Sequence, residues 1–222
     1  MEKITDNAIY FLGGELSNKH IASFTHKGET FAHAEQAFMW AKAKYFDDEQ
    51  SASMILKRTN PKVIYDLGKS IENFSEGIWK AVRLKIMEEI LLSKFTSSDK
   101  LQELLGNTEN KRLVYGDPYN VVWGAGLHWK DSLIFNPKEW KGENLLGIAL
   151  ENVRNEITGS LVDEDEWKAS SDDRTMYDMG TFGVMDERVA MLTDPYTKKP
   201  KKTQGFLGKI ARLVRGEDFG PK

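Results

Sequence analysis

The sequence predicts an α+β protein that is mainly helical, with a few short strands and a charged C-terminal extension. Three observations lead to this prediction. Apolar residues recur at helical spacing in several segments between residues 33 and 157. Only a few short runs favour β structure, and they end at glycine or other turn residues. After Gly159 the composition changes abruptly to dense charge.

The predicted strands lie mostly near the N-terminus. Residues 7–12 combine apolar and β-favouring side chains and are followed by a glycine pair, which predicts a short strand. Residues 20–31 fit a hairpin that turns near Lys27 and Gly28. Residues 111–115 form the last predicted strand.

The predicted helices begin with residues 33–46, where five apolar side chains recur at helical spacing. Ser75 is a typical N-cap for a long helix over 75–94. The other predicted helices cover 48–58, 61–67, 98–106 and 144–157. Residues 116–142 are rich in glycine and proline and are predicted to be mostly loop.

Composition excludes several kinds of chemistry. The 222 residues include no cysteine, which rules out a disulfide framework, a thiolate zinc site and a thiol nucleophile, and fits a cytoplasmic location. No apolar run approaches the roughly 20 residues that cross a bilayer, and the start lacks the pattern of a secretory signal, so no membrane partner is expected. The four histidines lack metal-motif spacing, so no metal site is expected; they are His20, His26, His33 and His128.

Charge divides the chain. Residues 1–160 are nearly neutral, residues 161–194 carry a net charge of −7, and residues 195–222 carry +6. We therefore expect a domain over 1–159 and a charged extension over 160–222. The basic part of the extension is amphipathic. It fits contact with nucleic-acid phosphates, or docking on the domain or on the acidic segment. A position on an anionic membrane is the least favoured interpretation, because the apolar face is short.

Glu35 is the first candidate for chemistry, because it falls in the first turn of the helix predicted over 33–46. A carboxylate at a helix N-terminus is stabilised by the helix dipole, and spacing alone favours this structural interpretation. The apolar neighbours of Glu35 favour the alternative, a raised pKa that suits a general acid or base.

The segment Tyr115–Gly126 is the second candidate, since it combines an acid, an amide, three aromatic residues and three glycines. Glycine lets a backbone approach a ligand closely. Trp123 or Tyr119 can stack on a planar base, and Asp117 can orient a sugar hydroxyl. The alternative is an ordinary tight loop that Trp123 anchors in the core.

An ordered series of motifs over about residues 8–157 resembles the NADAR superfamily of YbiA-like proteins. The matching segments are Ser17-Asn18, Phe31–Ala43, Asn60–Gly68, Trp79–Met87, Lys94-Phe95, Leu113–Gly126, Trp140–Gly147 and Val153-Arg154. The resemblance implies a compact, mainly helical fold with a few short strands. It also implies N-glycosidase activity, the hydrolysis of a C–N bond between ribose and a nitrogen base, without a metal or organic cofactor.

The resemblance assigns roles to five residues of the domain. Glu35 would be the catalytic carboxylate that stabilises positive charge on the ribose carbon and activates water. Asn18 and Asn144 would hold ribose or base edges. Lys42 or Lys44 would meet a phosphate as a point charge.

Further expected contacts come from the long helix and the glycine-rich loop. Trp79 and Arg83, one helical turn apart, would offer a stacking surface and an anion clamp, and Trp123 would contact the base. One position departs from the family, because Asn120 stands where an aspartate is usual. An amide can bind a sugar but cannot act as a base, so Asp117 is expected to compensate as the second catalytic carboxylate.

Two substrate classes are associated with the family. One is ADP-ribose attached to guanine in DNA, and the other is phosphoribosylated intermediates of riboflavin biosynthesis. The basic extension favours ADP-ribosylated DNA as the partner, as a single strand or with the base extruded, over a nucleotide-like small molecule. A third hypothesis is a non-enzymatic module that binds ADP-ribose, which the departure at Asn120 supports.

Overall fold

The computed structural model describes residues 2–159, and the predicted α+β, mainly helical fold is confirmed there. The strands are β1 (Glu2–Ile4), β2 (Ala8–Phe11), β3 (Phe24–His26), β4 (Glu29–Phe31) and β5 (Arg112–Tyr115). The helices are α1 (Ala34–Tyr45), α2 (Glu49–Leu56), α3 (Pro61–Lys69), α4 (Glu76–Phe95), α5 (Asp99–Gly106) and α6 (Leu145–Thr158). The extension expected over 160–222, with its acidic and basic segments, lies outside the described residues.

The strands form two small sheets. β2 pairs in parallel with β5 and antiparallel with β1, which gives the order β1-β2-β5. β3 and β4 form the predicted hairpin, whose turn places Lys27 and Gly28 at positive φ. β1 was not predicted, because its three residues are all exposed and show no alternation of apolar and polar side chains. Pairing with β2 holds this strand in place, and side-chain burial contributes little.

Local sequence explains why most helices begin where they do. Asp48 accepts a hydrogen bond from the Ser51 N–H at the start of α2. Asn60 caps α3, with Pro61 in the first helical position. Ser75 occupies the predicted N-cap position of α4 with extended backbone, but its side chain makes no capping hydrogen bond.

α1 lies at the centre of the helical part, where it contacts α2, α3 and α4. Its buried face is rich in alanine, which allows the neighbouring helices to approach closely. Gly68 in α3 packs so tightly on Met39 that a Cβ would collide with the methionine sulfur. α6 packs on β5 and on α4, so it connects the three-stranded sheet to the helical part. Over residues 2–159 no helix is long and apolar enough to span a bilayer.

Candidate active site

The first turn of α1 is anchored by two buried side chains. His33 caps the helix, since its Nδ1 accepts the Gln36 N–H at 3.1 Å and its Nε2 donates to the Thr59 carbonyl at 2.9 Å. Burial lowers the pKa of His33, which favours this neutral form. The Gln36 amide accepts the Ala32 N–H and donates to the Arg58 carbonyl just beyond α2. These hydrogen bonds therefore hold the start of α1 to the residue before it in the chain and to the segment that follows α2.

Glu35 projects from this fixed turn. Its backbone N–H donates to the Asn18 carbonyl at 2.9 Å. Its side chain is enclosed by protein but keeps some accessibility to solvent. Burial raises the pKa of its carboxyl group, and the positive charge of Lys19 offsets part of that rise. Desolvation therefore outweighs the stabilisation expected from the helix N-terminus, and the carboxyl group suits proton transfer.

Asn18 lies beside Glu35 with an unsatisfied amide. The residue is buried, its Nδ2 meets only the weak acceptor Sδ of Met87 at 3.5 Å, and its Oδ1 has no hydrogen-bond partner among the described residues. Buried polar atoms without partners are rare in folded proteins and are common where a ligand supplies the missing bond. This geometry is consistent with the predicted contact to a ribose or base edge.

The loop after β5 brings a second carboxylate toward α1. The Tyr115 hydroxyl donates to Asp117 Oδ2 at 3.2 Å, and Asp117 Oδ1 accepts the Tyr119 N–H at 3.0 Å. Burial raises the pKa of Tyr115, followed by the charge and hydrogen bond of Asp117 and then the charge of Glu35. The phenol therefore lies within the field of both carboxylates. Sequence reasoning did not select Tyr115, although it begins the glycine-rich segment.

Asn120 uses its amide oxygen to shape the same loop. Its Oδ1 accepts the Trp123 N–H at 2.9 Å, and its carbonyl accepts the Gly124 N–H. An aspartate could make the same side-chain bond, so the departure from the family preserves the turn and removes only the charge. The Trp123 ring is partly exposed and meets Phe38 of α1 edge-on, with centroids 5.0 Å apart. Trp123 therefore packs against α1 and still leaves part of its side chain exposed for contact with a ligand.

Asn144 supports the site from behind. It adopts a left-handed backbone conformation just before α6 and is buried. Its Oδ1 accepts the Tyr115 N–H and its Nδ2 donates to the Leu113 carbonyl, each at 2.9 Å. The oxygen and the nitrogen of this side-chain amide thus both bond to the backbone of β5. The expected contact of Asn144 with a ribose or base stays a prediction.

Trp79 and Arg83 lie on the buried face of α4. The Trp79 ring packs against Phe38, with centroids 5.1 Å apart, and is almost fully enclosed. Arg83 is also buried, and it pairs with Glu76 at 3.3 Å and with Glu143 at 3.1 Å. Its Nε has no hydrogen-bond partner within the described part of the chain. Arg83 therefore already binds anions, and these anions are carboxylates of the protein.

The two candidate lysines of α1 differ in their surroundings. The Lys42 amine donates to the Gly68 carbonyl at 2.8 Å and lies 3.9 Å from the centroid of the Phe74 ring. Burial lowers the pKa of Lys42, and the charge of Glu76 offsets part of this effect. Because Glu76 also pairs with Arg83, Lys42 belongs to the same charged cluster. Lys44 instead pairs with Glu49 near the surface at 2.7 Å.

The arrangement offers two carboxyl groups, an unsatisfied amide and a cationic cluster around aromatic side chains. Among residues 2–159, no group of three or more histidine or acidic side chains is arranged to hold a metal ion. The NADAR domain model matches residues 11–158. The chain belongs to the NADAR domain family. The resemblance inferred from the motifs is thereby confirmed.

Individual relatives agree with this assignment. The chain is 30% identical to N-glycosidase R617 of Acanthamoeba polyphaga mimivirus over 165 residues, which cover 68% of this chain and 97% of the viral protein. It is 33% identical to Protein irg-1 of Caenorhabditis elegans over 129 residues, or 57% of this chain, and spans only 61% of that protein. The NMR structure of Escherichia coli YbiA superposes with a TM-score of 0.58 at 25% identity, covering 70% of this chain and 88% of YbiA.

Curated relatives in the NADAR family carry the name N-glycosidase, including the viral protein and YbiA of Escherichia coli. The expectation of a hydrolase acting on N-glycosyl bonds is thus confirmed at the level of the family.

Proposed function

We propose that this chain hydrolyses the N-glycosidic bond of ADP-ribose attached to guanine in DNA, with Glu35 as the essential carboxyl group. The observation that carries the proposal is the position of Glu35. It has a raised pKa, its backbone N–H bonds to the carbonyl of Asn18, and it acts electrostatically on a phenol that is bonded to Asp117. The side-chain oxygen of Asn18 has no partner among the described residues. The N-glycosidase names of the relatives support the same reaction class.

The proposed reaction needs a carboxylate at a developing positive charge. As the C–N bond breaks, its electron pair moves to the base nitrogen, and positive charge builds on the ribose carbon. Water forms the new bond to that carbon, its proton passes to a carboxylate, and the leaving nitrogen takes up a proton. Glu35 suits the proton transfers because burial raises its pKa. Asp117 accepts two hydrogen bonds and suits the role of a fixed negative charge.

The diphosphate of ADP-ribose would bind the cationic cluster of Arg83 and Lys42. The unpartnered Nε of Arg83 offers one further donor in a buried position. Glu76, one of its present partners, has a side chain that is 67% exposed, so exchange of this carboxylate for a phosphate costs little desolvation. A planar guanidinium binds phosphate with defined geometry, and a lysine adds charge.

The guanine and its neighbours would contact the aromatic residues of the loop. Trp123 is partly exposed beside Phe38, and Tyr119 is 96% exposed two residues after Asp117. Enzymes that act on bases use single strands or extrude the nucleotide, and aromatic stacking is the usual contact. The net charge of +6 over residues 195–222 supports DNA as the partner, and the lack of cysteine supports a cytoplasmic location.

A direct test presents two substrate classes in parallel. ADP-ribosylated single-stranded DNA and the phosphoribosylated riboflavin intermediates are incubated with the full chain, and released products are identified by mass spectrometry. We expect free ADP-ribose from the DNA, and release that is slower by roughly 10² to 10⁴ with Glu35→Gln. Cleavage of the riboflavin intermediates alone, retained after truncation at Gly159, would favour the metabolic enzyme. Binding of ADP-ribose without release from either substrate would favour the non-enzymatic module.

A further inference from the structure

Tyr115 ends β5 with its side chain locked between the sheet and the loop. The residue is buried, and its ring packs on Phe11 with centroids 5.5 Å apart. Gly124 lies on another side, where a Cβ would stand 3.2 Å from the Tyr115 ring and still closer to its carbonyl oxygen. The main chain is held by the Asn144 amide and by the Ala125 N–H. The direction of the phenol hydroxyl is therefore set by the fold.

The hydroxyl fixes the carboxylate of Asp117. It donates to Oδ2 at 3.2 Å, while Oδ1 accepts the Tyr119 N–H at 3.0 Å. A partly exposed aspartate in a loop would otherwise rotate freely about two side-chain bonds. With one donor on each oxygen, the plane of the carboxylate is defined.

We propose that Tyr115 is a positioning residue of the N-glycosidase site, which holds Asp117 as the second carboxylate beside Glu35. This inference rests on the proposed function. It gives the loop an oriented negative charge, although Asn120, at the position where the family usually has an aspartate, cannot carry one. Tyr115 acts through Asp117 and does not itself bind the reacting atoms.

The electrostatics of the phenol agree with this role. Burial raises the pKa of Tyr115, and Asp117 and then Glu35 raise it further, so the hydroxyl keeps its proton at every pH at which the enzyme would work. A hydroxyl that stays protonated can donate to Asp117 Oδ2, so this hydrogen bond persists over that pH range.

The kinetic test removes only the hydroxyl. In Tyr115→Phe we expect kcat/KM on ADP-ribosylated DNA to fall about tenfold, equivalent to about 1.4 kcal/mol. Tyr10→Phe is the matched control, since Tyr10 is a buried tyrosine of the neighbouring strand β2. In Asp117→Asn the further change Tyr115→Phe should cost almost nothing. An unchanged kcat/KM in Tyr115→Phe, or two losses that multiply, would overturn the proposal.

A second measurement does not depend on turnover. It therefore distinguishes failure of this inference from failure of the proposed function. Tyrosines are labelled with ¹³C at Cζ, and the Tyr115 signal is assigned by its loss in Tyr115→Phe. We expect this signal to begin its ionisation shift at lower pH in Asp117→Asn than in the wild type, with a smaller effect in Glu35→Gln. A Tyr115 titration that is identical in wild type and Asp117→Asn would show that the hydroxyl does not act on Asp117.

Discussion

The backbone N–H of Glu35 donates a 2.9 Å hydrogen bond to the carbonyl oxygen of Asn18. The first N–H groups of a helix have no partner within the helix, and here the preceding loop supplies one. This bond ties the loop that carries Asn18, with its unsatisfied amide, to the first turn of the helix that carries Glu35. Two groups that sequence reasoning selected separately act as one structural unit.

Asn18→Leu tests whether the Asn18 amide serves ligand binding or the stability of the fold. The substitution keeps the backbone bond to Glu35 and removes an amide whose buried oxygen is unpaired. Because removal of an unsatisfied polar group costs little, we expect the free energy of unfolding to stay within about 1 kcal/mol of the wild type. We expect kcat/KM to fall by about tenfold to a hundredfold. Denaturant titration and steady-state kinetics check the two halves. A large loss of stability would mean that Asn18 is structural.

Glu35→Gln tests the catalytic carboxyl group. Loss of the general acid–base should lower kcat by roughly 10² to 10⁴. The folded protein binds the Glu35 proton more tightly than the unfolded chain does, so ionisation costs stability as pH rises through the raised pKa. The glutamine variant should therefore be at least as stable as the wild type at pH 7, with no such gain at pH 4. Thermal unfolding at the two pH values measures this, and lower stability at pH 7 would contradict it.

Lys42 and Lys44 are predicted to differ as phosphate ligands. Lys42 shares Glu76 with Arg83, whereas Lys44 pairs with Glu49 near the surface. We expect Lys42→Met to raise KM for ADP-ribosylated DNA at least fivefold, and Lys44→Met to leave KM within about twofold, because a surface ion pair contributes little. Steady-state kinetics of the two variants decide the assignment. Equal effects would show that the phosphate does not select this cluster.

Tyr119 is predicted to contact a base next to the modified guanine. Its side chain is 96% exposed on a turn that Asp117 fixes. Because stacking contributes about 1–3 kcal/mol per base, Tyr119→Ala should weaken the binding of a modified oligonucleotide by roughly fivefold or more. Binding of free ADP-ribose should not change. Tyr65→Ala is the control, since Tyr65 is an exposed tyrosine of α3. Equal affinity of wild type and Tyr119→Ala for the oligonucleotide would exclude the contact.

Local patterns in the sequence predicted most of the fold, and long-range bonds explain what they missed. The hairpin and the helix bearing Glu35 follow from turn residues and from apolar spacing. The role of Asn144 in bonding β5 depends on Leu113, which lies 31 residues earlier. The buried amine of Lys94 depends for its hydrogen bonds on the carbonyls of Glu15 and Ser17, which lie 79 and 77 residues earlier. No pattern in a helix of mixed charge indicates such partners before the chain is folded.

Lys94 provides the last prediction, because it is a fully buried lysine. Its amine donates to the Glu15 carbonyl at 2.6 Å and to the Ser17 carbonyl at 3.0 Å, which holds the loop that leads to Asn18. Burial lowers the pKa of Lys94 to about 7, and the charge of Glu15 offsets part of this effect. Between pH 7 and the ordinary lysine pKa of 10.5, the unfolded chain therefore binds a proton that the folded protein releases.

This difference fixes the sign of the pH dependence. The cost of burying the charged amine is fully present below pH 7 and is relieved as pH rises toward 10.5, so Lys94 makes the protein more stable at alkaline pH. The slope approaches about 1.4 kcal/mol per pH unit. Urea unfolding of wild type and Lys94→Met from pH 6 to 10 isolates this contribution, because other titrating groups cancel in the difference. We expect wild type to gain stability relative to the variant above pH 7. A constant difference would mean that the buried amine does not titrate there.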